Sequence, residues 1–169
     1  MSYYSVVGYR IMKYWVLYNF VVGFAVYWLS NLVLWFPWSL NPTLGMILML
    51  TVGTALWAIA TYQCLVTYPG SSLLKAAAFN STVLLSIAVV MDYIFFVLIR
   101  DAKAELYHPT TIYGYAFVVT LPFLMILLLK GKLAASNTQL HNENWYQALG
   151  VGLISFISLT LIILLGIEV

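Results

Sequence analysis

The chain has 169 residues, of which 64% are hydrophobic and only 7% are charged. Soluble domains carry about 25% charged residues, so this composition excludes a soluble globule and predicts a single all-α domain that is integral to a membrane. The net charge of +2 and the scattered basic residues argue against a nucleic-acid-binding surface, and the one cysteine, Cys64, excludes an intrachain disulfide.

The first half of the chain contains no charged residue at positions 14–74, a stretch long enough for two membrane-spanning helices. Residues 36–42 interrupt it with two prolines and an Asn-Pro pair, which are expected to end one helix and start the next. We therefore predict a first span at residues 14–36 and a second span at residues 43–68.

The third predicted span, residues 76–99, carries one ionisable side chain, Asp92. At about 1.5 Å of rise per residue, Asp92 lies roughly 12 Å from Arg100 at the end of this span, near the middle of a hydrocarbon core about 30 Å thick. An acid at that depth is costly unless it is protonated, hydrogen-bonded or hydrated, so Asp92 is expected to face the interior of the bundle. An intramembrane acid is by default a candidate for function.

Residues 101–109 are polar and end in a proline, which predicts a loop or a short surface helix before the fourth span at residues 110–129. Pro122 lies inside that span, where its missing amide is expected to bend the helix and free the carbonyl of Val118. The longest polar stretch of the chain follows, and residues 145–167 form the predicted fifth span.

The basic residues predict the orientation of these spans, because loops rich in lysine and arginine stay on the cytoplasmic side. A cytoplasmic N-terminus and an external C-terminus place five basic residues inside and two outside. The inside residues are Arg10, Lys13, Lys75, Lys130 and Lys132, and the outside residues are Arg100 and Lys103. The predicted location is a plasma membrane or an inner membrane.

Hydroxyl groups on the other four spans are expected at the depth of Asp92. Counting residues from the same end of each helix gives, at roughly 12 Å, Tyr27, Thr51, Tyr115 and Thr160. We predict that Asp92 forms a hydrogen bond with at least one of these four, or with the carbonyl freed by Pro122. Tyr115 is the first candidate, because a short loop joins the third and fourth spans. A purely structural role, in which Asp92 ties two helices together, stays open beside a coupling role.

Few residue patterns point to catalysis or to a cofactor. His108 and His141 are predicted in loops on opposite sides, so they cannot share a metal ion, and we predict no metal and no cofactor. Asp101 and Glu105 would share one face of a helical loop, but mixed-charge loops are usually only solvated. The serines of the fifth span have no intramembrane histidine or lysine to act as a base. We therefore predict a protein that is not an enzyme.

Two functions are favoured by the spans themselves. The first is association, as an accessory subunit of a membrane complex or as a homo-oligomer, because the loops are too short to build a site and the spans are apolar on most faces. The alternative is a small proton- or cation-coupled transporter or channel that uses Asp92. The expected partners are the lipid bilayer and a protein or a second copy within it, and no nucleic acid.

The aromatic residues suggest a third function, a binding protein for a lipophilic ligand. The chain contains 13 Tyr and 6 Trp, enough to line an aromatic pocket. Many of them fall near the predicted span ends, where aromatic belts at the membrane interface explain them without a ligand. Trp35 and Trp38 are expected in such a belt. This function is therefore ranked below the other two.

Overall fold

The computed structural model describes residues 3–135 and 140–165, and within these ranges all regular structure is helical. Five of its helices are long and apolar enough to cross a membrane, as the sequence predicts. They are α1 (Tyr3–Leu40), α2 (Pro42–Val66), α3 (Leu73–Ile99), α4 (Pro109–Ala135) and α5 (Asn142–Leu164). A short 3₁₀-helix, Lys103–Tyr107, joins α3 to α4.

The first span was predicted to end at residue 36, but helix α1 continues for another turn through Pro37. The backbone amide of Asn41 donates to the carbonyl of Pro37 at 2.9 Å, so the last turn closes despite the proline. Asn41 is then the one residue between α1 and α2. Its side-chain Oδ1 caps α2 by accepting from the amides two and three residues later, at 2.9 and 3.2 Å.

The other helices begin and end close to the predicted spans, with three differences. Helix α3 begins at Leu73, a turn before the predicted residue 76. Helix α4 continues beyond residue 129 to Ala135, because Lys130 and Lys132 end the apolar stretch but are good helix formers. Helix α5 begins at Asn142, a turn before the predicted residue 145. The last two residues of the predicted fifth span, 166–167, lie outside the described residues.

Helices α2 and α3 each contain a π-helical segment, Met49–Gly53 in α2 and Tyr93–Ile99 in α3. A π turn holds more residues than an α turn, so it shifts the face on which the following side chains lie. Asp92 is the last α-helical residue before the second segment. Such turns are frequent at functional sites, and both of these segments border the cavity next to Asp92.

Helix α1 occupies the centre of the bundle. Half of its most apolar stretch is buried, against a third or less in the other four helices. It packs against α2, α3 and α5, while α4 packs against α3 and against the Thr54–Val66 part of α2. The contact between α1 and α5 is close, since a Cβ on Gly152 would lie 2.9 Å from Cδ1 of Phe24 and 3.1 Å from Cα of Ala25.

An aromatic core joins α1, α3 and α5. The ring of Trp28 packs edge-on against Phe156 and Tyr27, with 4.7 and 5.4 Å between ring centroids. The buried members of this core are Tyr27, Trp28, Trp35, Val83, Ile87, Phe95 and Leu159. Tyr27 packs on Trp28 within this core, so its ring is buried next to α3.

Candidate functional site

Asp92 lies in the interior of the bundle, where it is 8% exposed. The hydroxyl of Tyr27 on α1 donates to Oδ1 of Asp92 at 2.6 Å, and the hydroxyl of Tyr115 on α4 donates to Oδ2 at 2.6 Å. Each carboxylate oxygen therefore has a donor, and one acid ties three helices together. Short hydrogen bonds to a carboxylate are stronger than neutral ones, and they offset part of the cost of burying it.

Local packing positions both tyrosines. Tyr27 is 3% exposed and packs on Trp28, and Nδ2 of Asn31 donates to the Tyr27 carbonyl at 3.0 Å. Tyr115 is half-buried. It reaches Asp92 because the short connection after α3 brings α4 back antiparallel beside it, as in other helical hairpins.

The other two hydroxyls predicted at this depth do not join the cluster. Thr51 is exposed, and its Oγ1 donates to the carbonyl of Ile47 at 2.7 Å within its own helix. Oγ1 of Thr160 likewise donates to the carbonyl of Phe156 at 2.8 Å. Depth along a helix does not determine the direction in which a side chain points, so two of the four hydroxyl residues, Tyr27 and Tyr115, bond Asp92.

Helix α4 runs unbroken across Pro122, which is fully buried. Close to it, the hydroxyl of Ser81 on α3 donates to the carbonyl of Val119 at 2.9 Å. The interhelical acceptor in this region is therefore one residue beyond the predicted Val118, and its donor is a serine and not Asp92. The bend of α4 near Val118 stays a prediction.

A cavity of about 600 Å³ lies next to Asp92 and extends toward the end of the bundle that holds Arg100, called below the Arg100 end. Its walls come from α1, α2, α3 and α4, and many of its lining side chains are aromatic. They include Trp35, Trp38, Trp57, Phe95, Phe96 and Tyr113. The two phenylalanines follow Asp92 within the π-helical segment Tyr93–Ile99, and they line the same cavity as Asp92.

Trp35 was expected in an aromatic belt at a span end, but it lies inside the bundle. It is 9% exposed, and the guanidinium carbon of Arg100 lies 5.2 Å from the centroid of its ring. Trp35 lies on the helical face that meets α3, and its ring centroid is 6.3 Å from that of Phe95. Trp38 also lines the cavity.

Ser30 is the second polar side chain at the buried part of the cavity. It is 5% exposed, and its Oγ is buried with no hydrogen-bond partner among the described residues. Asn31 and Thr54 also line the cavity, but each already donates to a backbone carbonyl, at 3.0 and 3.4 Å. Ser30 therefore places a buried hydroxyl without a partner beside the cavity, among the described residues.

The cavity lies where α2 and α4 diverge. Helix α4 packs against the Thr54–Val66 part of α2, whereas Met49–Gly53 of α2 and residues 110–118 of α4 contribute to the cavity wall. At its edges, Leu50 is 64% exposed and Tyr113 is 73% exposed. Exposed lining residues therefore lie on the side of the bundle, which meets hydrocarbon if the five helices cross a bilayer, and also at the Arg100 end, where Glu105 and His108 are exposed.

Apolar side chains close the bundle on the other side of Asp92, away from the Arg100 end. Leu84 and Ile87 of α3 are buried there against Gly23 of α1, where a Cβ would lie 3.1 Å from Cδ2 of Leu84. Beyond this layer, Nδ2 of Asn80 donates to Oδ1 of Asn19 at 2.7 Å. The cavity and the Asn19–Asn80 pair are thus separated by packed apolar side chains.

Metal ligands do not converge in the described parts of the chain. Across residues 3–135 and 140–165, no three His, Cys, Asp or Glu side chains lie close enough together to hold a metal ion. His108 lines the rim of the cavity, where its Nδ1 lies 2.7 Å from Oγ1 of Thr110. The titratable groups at the cavity are therefore dispersed between its buried part and its rim.

Two features of the site were not predicted from the sequence. Ser30 follows Tyr27 by three positions and so shares its helix face, a spacing that could have indicated it. Trp57 carried no such signal, because its direction depends on the π-helical segment before it. No family model, curated protein or solved structure matches this chain. Its function has to be argued from the site itself.

Proposed function

We propose that the chain is an integral membrane protein that binds a lipophilic small molecule in the cavity beside Asp92. The observation that supports this proposal is the cavity itself, whose volume of about 600 Å³ falls within the roughly 300–1,000 Å³ that is usual for small-molecule sites. Such sites combine mainly apolar and aromatic walls with a few polar groups at fixed positions. Asp92 and Ser30 are the polar groups at the buried part of this one.

The bilayer is the proposed source of the ligand. Leu50 of α2 and Tyr113 of α4 are exposed at one edge of the cavity, on the side of the bundle, where a molecule dissolved in hydrocarbon would enter without crossing water. The proposed orientation has the N-terminus in the cytoplasm and the C-terminus outside, on the basis of five basic residues against two. This orientation places the Arg100 end, and the cavity with it, in the external half of the membrane.

Ligand binding is preferred to association because of where the site lies. The expectation of association rested on loops too short to build a site, whereas this cavity is built between the helices. Association with a protein or a second copy stays a prediction, and so does transport that uses Asp92. Transport would require the apolar layer of Leu84 and Ile87 to open.

Tryptophan fluorescence tests the proposal, because Trp35, Trp38 and Trp57 line the cavity. The full chain, purified in dodecyl maltoside, is titrated with para-bromophenylbutanol, a neutral lipophilic probe whose bromine quenches nearby tryptophans. We expect quenching that saturates. Quenching that rises in proportion to the probe, as partitioning into the micelle does, would contradict the proposal.

Two glycines of α4 supply a matched pair of variants. A Cβ at Gly114 or at Gly131 meets no atom within 4 Å, so both positions accept a larger side chain. Gly114 lines the cavity and Gly131 does not. We expect Gly114→Phe to weaken the saturable quenching and Gly131→Phe to leave it unchanged. Equal binding by both variants would place the probe outside this cavity and overturn the proposal.

A further inference from the structure

Building on the proposed binding function, we infer that the ligand is a lipophilic amine, bound as its ammonium ion with Asp92 as counter-ion and Ser30 as a second hydrogen-bond acceptor. One cavity is lined by a carboxylate, by an unpartnered buried hydroxyl and by aromatic rings. Together these groups favour a ligand that supplies hydrogen-bond donors, a positive charge and an apolar body.

Asp92 has acceptor capacity left for a ligand. An ionised carboxylate offers about four lone-pair positions, and the hydroxyls of Tyr27 and Tyr115 take one on each oxygen. Both hydroxyl hydrogens are directed at Asp92, so the cluster presents acceptors and no donor to the cavity. A ligand that binds here must bring the donors itself. An ammonium group brings N–H donors together with the charge that a buried carboxylate lacks.

Ser30 is the independent observation that points to a ligand. It is 5% exposed, it lines the cavity, and its Oγ has no partner in the part of the chain that the structure describes. Ser30 lies one turn after Tyr27 on α1, so its hydroxyl is on the helix face that also supplies the bond to Asp92. A buried hydroxyl without a partner is costly, and an N–H group from a ligand removes that cost.

The aromatic walls suit a cation for a second reason. The faces of tryptophan, tyrosine and phenylalanine rings attract cations, and tryptophan does so most strongly. The pair of Trp35 and Arg100 already uses this interaction at the rim, at 5.2 Å from guanidinium carbon to ring centroid. A carboxylate ligand would instead place two like charges together at Asp92, which is strongly unfavourable.

Arg100 lines the same cavity, and its positive charge opposes a cationic ligand. Glu105 also lines the cavity, and it adds an opposite charge at the Arg100 end.

A matched pair of probes separates this inference from the proposal on which it rests. The amine, para-bromophenylbutylamine, carries an ammonium group where para-bromophenylbutanol carries a hydroxyl, and both quench tryptophan. In an uncharged detergent at neutral pH, we expect the amine to bind about tenfold more tightly than the alcohol. Asp92→Asn should remove that difference, and Ser30→Ala should reduce it. Asp101→Asn is the control, because it removes one acid at an exposed position.

Each outcome decides a different question. Equal affinity for amine and alcohol in the unmodified chain would overturn the inference and leave the binding function intact. An amine preference that survives in Asp92→Asn, or one that Asp101→Asn removes equally, would overturn the role of Asp92. If Asp92→Asn does not fold, Ser30→Ala is the deciding variant. An unchanged preference of Ser30→Ala for the amine over the alcohol would contradict the role of Ser30 as a second acceptor. Saturable binding of neither probe would refute the binding function itself.

Discussion

Tyr27 and Asp92 are 65 positions apart in the chain, and the hydroxyl of the tyrosine lies 2.6 Å from Oδ1 of the acid. This bond joins the central helix α1 to α3, and Tyr115 adds a bond from α4 to the other carboxylate oxygen. An acid in an apolar interior is stable when donors surround it, so the tyrosines explain how Asp92 is accommodated. They also leave part of the carboxylate facing the cavity.

The Tyr27–Asp92 bond should contribute measurably to stability. We expect Tyr27→Phe to lower the free energy of unfolding by about 1–2 kcal/mol, because it leaves one carboxylate oxygen without its buried donor. Tyr146→Phe is the control, since Tyr146 is 73% exposed. Reversible unfolding of the full chain by SDS in mixed micelles measures both.

A double-mutant cycle with Asp92→Asn isolates the pair. If the bond carries the effect, Tyr27→Phe should cost clearly less in the Asp92→Asn background than in the original chain. Costs that simply add would mean that the Tyr27 hydroxyl affects stability independently of Asp92. Tyr115→Phe should show the same coupling with a smaller magnitude, because Tyr115 is only half-buried.

The close approach of α1 and α5 predicts unequal effects of two neighbouring substitutions. A Cβ at Gly152 would lie 3.1 Å from Cα of Ala25, whereas a Cβ at Gly150 meets nothing within 4 Å. We expect Gly152→Ala to destabilise the protein by about 1–3 kcal/mol through overpacking. Gly150→Ala should be neutral or should stabilise it by about 0.5–1 kcal/mol, because alanine favours the helix. The same unfolding measurement compares them, and equal effects would contradict the packing described for this interface.

The number of apolar helices and the inward direction of Asp92 follow from the sequence because each rests on one strong energetic rule. Uncharged stretches of span length are favourable only as helices in hydrocarbon, and an acid among them must avoid lipid. Counting residues from the span ends then identified Tyr27 and Tyr115 as partners of Asp92, since both also lie on helix faces that meet α3.

Direction around the helix axis was the part that could not be predicted. Thr51 has the predicted depth but lies within the π-helical segment Met49–Gly53, and it points outward. A π turn alters the rotation of a helix without a clear sequence signal. Helix α1 also continues past its predicted end at residue 36, so Trp38 is still helical and lines the cavity. The cavity depends on both features, so it could not be predicted from the sequence.

The bond from Ser81 to the Val119 carbonyl should stabilise the packing of α3 against α4. We expect Ser81→Ala to cost about 0.6 kcal/mol, the average measured for hydrogen bonds between membrane helices, and at most about 1.7 kcal/mol. Ser86→Ala is the matched control on α3, because Ser86 is exposed. Thermal unfolding in detergent compares the two variants. Equal unfolding midpoints of the two variants would contradict a stabilising role for the hydrogen bond between Ser81 and the Val119 carbonyl.

The proposed orientation predicts which loops a membrane-impermeant maleimide reaches in intact cells. Cys64 is the one cysteine of the chain and is 0% exposed, so the unmodified protein should not react and serves as the control. Glu105 and Glu143 are exposed and lie beyond opposite ends of α4. With the N-terminus inside, Glu105→Cys should be labelled in intact cells, and Glu143→Cys should be labelled only after permeabilisation. The reverse pattern would mean that the protein has the opposite orientation in the membrane. Labelling of both variants from outside would mean that α4 does not cross the membrane.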